Sequence, residues 1–158
     1  MCEPHAVQTL FHMGRLNLPD APLSLSDADF LHAFESCTLP ATSWTHTAHV
    51  RLAWLKLAQH PYEAALESVR RGIQSYNKAV LKKEGAYHET ITVAFMRLVY
   101  EAKRNGVKHF ADLESKHPAL LDRKLSALLE YYSQDRLFSA EARADYIEPD
   151  LKPLPPVH

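Results

Sequence analysis

Two imidazoles stand three residues apart in Trp44-Thr45-His46-Thr47-Ala48-His49, directly after a hydroxyl residue placed to cap a helix. A third follows in Tyr87-His88-Glu89-Thr90, beside a carboxylate and again where a helical pattern begins. Residues three apart on a helix share a face, so His46 and His49 are placed to bind one ion while His88 reaches it from a neighbouring helix. Backbone N–H groups at helix N-termini disfavour imidazolium, which keeps such rings neutral as ligands or bases. Glu35 or Glu89 would add the carboxylate of a three- or four-ligand set. Three nitrogens with an open water position suit zinc, whereas two histidines and a carboxylate with several open positions suit iron(II). The chemistry would be Lewis-acid polarisation or metal-activated water, serving hydrolysis, isomerisation or a lyase reaction, or oxygen chemistry with iron. Metal-free acid–base work on a small substrate, and histidines that merely close helix ends, are the competing readings.

The elements that must position these residues are helices. Ser26 reads as an N-cap with Asp27 and Asp29 in the first turn, and Phe30, Leu31 and Phe34 share a face until Leu39-Pro40. Thr45, or Ser43, opens a second helix whose apolar stripe of Val50, Ala53, Trp54 and Leu57 runs to His60-Pro61. Pro61 starts a third, ending near Asn77. The fourth is predicted from His88 to Asn105-Gly106, a C-cap signal. A short piece around Phe110 to Ser115 precedes a final long helix carrying Leu120, Leu121, Leu125, Leu128 and Leu129 to about Tyr132, and Ser139 caps one more turn across Ala140 to Asp145. Prolines at 4, 19 and 22 make residues 1–25 an extended arm, and those at 149, 153, 155 and 156 make residues 148–158 an extended, polyproline-like tail. No alternating pattern asks for a strand. The expected fold is all-α: one domain over residues 1–158, an antiparallel up-and-down bundle of four or five helices built from residues 26–147.

Composition limits the function. The 158 residues suffice for one self-supporting core, and a formal charge of -1 with no basic block removes the electrostatic case for nucleic acid. No stretch approaches the roughly 20 apolar residues of a membrane span, and the opening residues lack a basic region followed by an apolar run. Cys2 and Cys37 are the only cysteines; no disulfide framework is indicated, and a reducing cytoplasm fits. The expected partner is a small molecule.

If helices two, three and four alternate in direction, the starts of two and four lie at one end of the bundle, with Glu35, Cys37, Tyr76 and Asn77. The final helix ends there too, folding Asp135, Arg136 and Ser139 over the cluster. Glu89, Tyr87 and Arg136 are therefore the candidate catalytic residues, with Arg136 facing an anionic substrate, and His46, His49, His88 and Glu35 the candidate metal ligands. His32, one turn before Glu35, would support them from behind. Trp44 and Trp54 read as core aromatics, Cys37 as a small buried residue, and Arg51, Arg70 and Arg71 as a solvated face. The remaining histidines read as exposed or as local caps. A non-catalytic helical module with the histidines as a polar pocket is the rival from another class.

Phe34-Glu35, Leu39-Pro40, Trp44-Thr45-His46-x-Ala48-His49, Tyr76-Asn77 and Tyr87-His88-Glu89-Thr90 resemble a group of uncharacterised bacterial all-helical proteins of similar length. The likeness covers most of residues 28–155, ending in Glu148-Pro149-Asp150-Leu151-x-Pro153-Leu154, and implies no activity. In holding a few histidines within helices the chain also resembles the DinB-like metalloproteins, although here the close pair precedes the single histidine and has a different spacing.

Overall fold

Ser26 does cap the first helix: its side chain accepts the Asp29 N–H at 3.0 Å, and helix α1, Asp27–Glu35, buries Phe30, Leu31 and Phe34. This computed structural model describes residues 25–157, so the predicted arm lies almost wholly outside the described residues. After a 3-10 turn at Ala41–Ser43, Thr45 caps α2, His46–Gln59, by accepting the Ala48 N–H at 3.2 Å. Helix α2 buries Val50, Leu52, Ala53, Trp54 and Leu55 on more than one side, and even Arg51 and Lys56 are enclosed. A helix buried all round is one that neighbours surround. Those neighbours include α3, Tyr62–Tyr76, and α4, Glu89–Arg104.

Pro61 is the cap residue before α3 rather than its first residue. Beyond Tyr76 the chain makes a π-helical turn, Asn77–Leu81, and leaves it through Lys82 at φ 53°. Helix α4 stops at Asn105-Gly106 as expected, with Gly106 at φ 103° and the Val107 N–H bonded to the Ala102 carbonyl at 3.1 Å. Short elements follow: α5, Phe110–Lys116; a 3-10 turn, Pro118–Leu121; α6, Ser126–Leu129; α7, Gln134–Leu137; and α8, Ala140–Ala144. Among the described residues there is no strand, and no helix is long and apolar enough to cross a membrane.

The predicted long helix through Tyr132 is not formed. Asp122 accepts the Lys124 N–H on its side chain at 3.0 Å and the Leu125 N–H on its carbonyl at 2.9 Å, and Leu125 takes a left-handed φ of 66°. This side-chain turn offers the backbone an alternative to the helical ladder, so the leucines reach the core from separate short turns. The tail carries no helix, and it is tied down rather than trailing. Ser133 donates to Asp150 through both its N–H and its hydroxyl, at 2.8 and 2.6 Å, Leu151 N–H bonds the Tyr131 carbonyl, and Leu154 is buried.

Three further expectations, two for surface arginines and one for a cysteine, are also corrected. Arg51 is 6% exposed: it donates to the Leu25 carbonyl and to Asp27 at 2.7 and 2.9 Å, and its guanidinium lies over Phe30. Arg70 is half-buried between Glu67 and Glu89, which leaves Arg71 alone of the three on the solvated face. Cys37, at φ 61°, is disulfide-bonded; Cys2, the only other cysteine, lies outside the described residues. A cross-linked Cys37 removes the cysteine argument for a reducing compartment.

Candidate functional site

A cavity of about 460 Å³ opens between the starts of α2 and α4 and the end of α3. His46 and His49 line it from α2, His88 from the cap of α4, and Asn77 from the turn after α3. Val69, Ile73, Ile91 and Phe95 make much of its wall apolar, while Phe138 and Arg143 come to it from the C-terminal segment. Its size falls within the roughly 300–1,000 Å³ of ligand pockets.

Backbone carbonyls fix the three imidazoles. A carbonyl only accepts, so each ring nitrogen bonded to one carries the proton. His46 donates from Nε2 to the Leu120 carbonyl at 2.9 Å, and His49 from Nδ1 to the Thr45 carbonyl at 2.7 Å. These are opposite tautomers. They leave the Nδ1 lone pair of His46 and the Nε2 lone pair of His49 without a hydrogen-bond partner among the described residues. His88 differs, because Nε2 donates to the Leu137 carbonyl at 2.9 Å while Nδ1 accepts the Ile91 N–H at 3.1 Å. Both its nitrogens are committed, and its ring is the N-cap of α4.

All three rings are held neutral. Burial pulls His49 down to about 4, outweighing the Thr45 carbonyl, and His46 nearby lowers it further. Burial also lowers His46 against the raising pull of the Leu120 carbonyl and Asp122, and lowers His88 against the Leu137 carbonyl, with Arg143 adding to the effect. A histidine whose folded pKa is depressed binds fewer protons folded than unfolded between the two values, so stability must fall as pH falls through that window. Between pH 6.5 and about 4 the melting temperature should therefore drop, and His49→Gln should flatten part of the drop. An unchanged slope in that variant would show that protonation of His49 does not contribute to the drop.

An aromatic wall backs His49. Its ring lies 3.8 Å from the Trp44 ring, which stacks on Phe34 at 4.7 Å, and Phe34 stacks on Tyr76 at 5.3 Å. Trp44 is thus both core and cavity wall, and its buried Nε1–H finds no acceptor among the described residues. Trp54 is core, under the Lys103 ammonium at 3.6 Å.

The carboxylates are elsewhere engaged. Glu35 pairs with the buried Lys56 and does not line the cavity. Glu89 takes a bidentate pair from Arg70 at 3.0 and 2.6 Å and the Tyr87 hydroxyl at 2.6 Å. Burial raises Glu89, and these bonds outweigh it, so its pKa is lowered. Tyr87 lines the cavity, and burial together with Glu89 pushes its phenol up, keeping it protonated. Among the described residues no three His, Cys, Asp or Glu side chains are grouped so as to hold a metal ion.

Arg136 does not return over the cavity: its Nε donates to the Glu148 carbonyl at 2.6 Å and fastens the tail. The arginine at the cavity is Arg143, whose Nη1 bonds the carbonyls of Gly85, Ala86 and Tyr87 at 3.0–3.4 Å. An exposed arginine on a one-turn helix leaves no signal in the sequence. His32 is exposed and stands behind no ligand. No family model matches the chain, and no curated protein or solved structure matches it either.

Proposed function

We propose that the chain binds a small organic molecule in this cavity and acts on it by proton transfer or hydrogen bonding through the neutral pair His46 and His49. The supporting observation is that backbone carbonyls hold these rings in opposite tautomers, leaving one lone pair on each with no partner among the described residues. An oriented ring whose pKa lies below neutrality presents an unprotonated acceptor nitrogen at neutral pH, and a pKa of about 4 suits His49 to accepting a hydrogen bond rather than to taking a proton outright. Tyr87, kept protonated by burial and Glu89, is a further polar group on the cavity wall, with Glu89 and Arg70 acting as its positioning residues. The reading takes α2, α3 and α4 as antiparallel neighbours in a bundle, which agrees with the starts of α2 and α4 and the end of α3 lining one cavity. It also keeps the kinship suggested by the Trp-Thr-His-x-Ala-His and Tyr-His-Glu-Thr motifs as a proposal about a shared site.

The same two lone pairs favour one second reading. A zinc or iron(II) ion taken by two imidazoles one helical turn apart would complete its shell with water and substrate atoms, since His88 is already bonded at both nitrogens. In either case the test is binding of a small neutral probe such as phenylacetamide, followed by the ring C–H shifts of His46 and His49. His46→Gln and His49→Gln should each weaken binding about tenfold, equivalent to about 1.4 kcal/mol, with the helical spectrum unchanged. Variants that bind like the wild type would remove the imidazoles from the function. Metal analysis of protein purified without an affinity tag separates the two readings: about one ion per chain, lost in both variants, selects the metal.

A further inference from the structure

We propose that the cavity selects small organic acids, with the ligand carboxylate held by Arg143 and its apolar body lying against Ile73, Ile91 and Phe95. The inference rests on reading the cavity as a small-molecule site and assigns the class of molecule. Charge is the first support. Among the described residues that line the cavity there is no aspartate, glutamate or lysine, and Arg143 is the only permanently charged one. With the imidazoles neutral, an anion entering the cavity meets one cation and no competing carboxylate. The Arg70 and Glu89 pair illustrates the alternative fate of an arginine in this fold, in which a carboxylate already occupies the fork.

The guanidinium of Arg143 is also held in place. Three carbonyls of the loop before α4 take Nη1, and no hydrogen bond from its Nε or Nη2 is found among the described residues. Those two groups are the edge that grips a carboxylate bidentately. An arginine anchored on one side and open on the other loses less side-chain entropy on binding than one free in solvent.

A buried polar side chain supplies the second, independent support. Asn77 is 7% exposed and lines the cavity, yet its side-chain amide makes no hydrogen bond among the described residues. A ligand oxygen reaching this wall would accept from the Asn77 amide N–H, a bond that no protein group competes for among the described residues. The exposed loop beside the cavity adds Lys78, Lys82 and Lys83 against a single Glu84, a local positive excess in a chain of formal charge -1. Such an excess speeds the approach of anions.

The experiment compares matched pairs that differ only in charge: hexanoate with hexanamide, and phenylacetate with phenylacetamide. Binding is measured by calorimetry and by the ring C–H shifts of His46 and His49. The acids should bind at least tenfold more tightly than their amides at low salt, and the preference should shrink as salt is raised. Arg143→Gln should bring the acids to the level of the amides while amide binding stays unchanged, which also shows that the loop and cavity remain folded. Arg143→Lys should retain an intermediate preference. Acids binding no better than amides, or Arg143→Gln weakening both alike, would overturn the assignment of an anionic ligand and leave the small-molecule site standing. Histidine signals that respond to no member of either series would overturn the site itself.

Discussion

Phe34→Ala should remove about 3–5 kcal/mol of stability, the usual cost of deleting a buried phenyl ring that its surroundings cannot replace. Phe34 is 1% exposed and stacks on Trp44 and Tyr76, at interplanar angles of 27° and 24°. The space around it is already closed. A Cβ built on Gly72 would come within 2.8 Å of the Phe34 ring, so α3 makes its close approach to α1 at the one position without a side chain. Removing the ring leaves a hole that the Gly72 backbone cannot fill, behind the Trp44 ring that backs His49. The variant should therefore lose the upfield ring-current shift of His49 along with its stability. Urea unfolding gives the loss, and the histidine spectrum reports whether Trp44 has moved. A loss under about 1 kcal/mol would mean that the aromatic wall is not a packed part of the core.

His88→Ala should be the most destabilising of the three histidine replacements at the cavity, by about 2–4 kcal/mol. Loss of an N-cap costs about 0.5–2 kcal/mol, and the buried Leu137 carbonyl, deprived of its donor, adds about 1–3 kcal/mol. His88 bridges these two elements because its ring is 8% exposed and bonded at both nitrogens, whereas His46 and His49 are half-buried and each makes one backbone bond. His88→Asn should restore the cap without reaching Leu137, and so recover only part of the loss. Had the three imidazoles acted as equivalent metal ligands, the replacements would instead share a common loss of metal with modest effects on folding. Thermal unfolding of the three variants side by side decides the order. A His88→Ala protein as stable as the wild type but unable to bind a cavity ligand would return His88 to the chemistry.

Features that depend only on neighbours along the chain were legible in the residues alone. Caps at Ser26, Thr45 and Ser139, the stop at Asn105-Gly106, and the apolar periodicity of the first four helices are all set within a few residues, and they stand where they were expected, whereas His88, expected as the first residue of its helix, is the cap before it. The all-helical class followed from them. The failures have a common form. At Asp122 a side-chain turn competed with a periodic leucine pattern and won, a contest of similar local energies that periodicity alone does not weigh. Arg51 and Lys56 look like solvent residues by type, and only the elements around α2 enclose them, with Asp27 and Glu35 as partners. The site shows the same division. That two histidines on one turn would face a common cavity follows from helical spacing, but which nitrogen of each carries the proton does not. The tautomer of His46 is set by a carbonyl 74 residues away, His88 is engaged by one 49 residues away, and Glu89 is claimed by an arginine 19 residues earlier. Arg143 reached the cavity and Arg136 did not because short turns at the C-terminal end aim their side chains by packing against the rest of the fold, and that aim exists only once the chain has closed on itself.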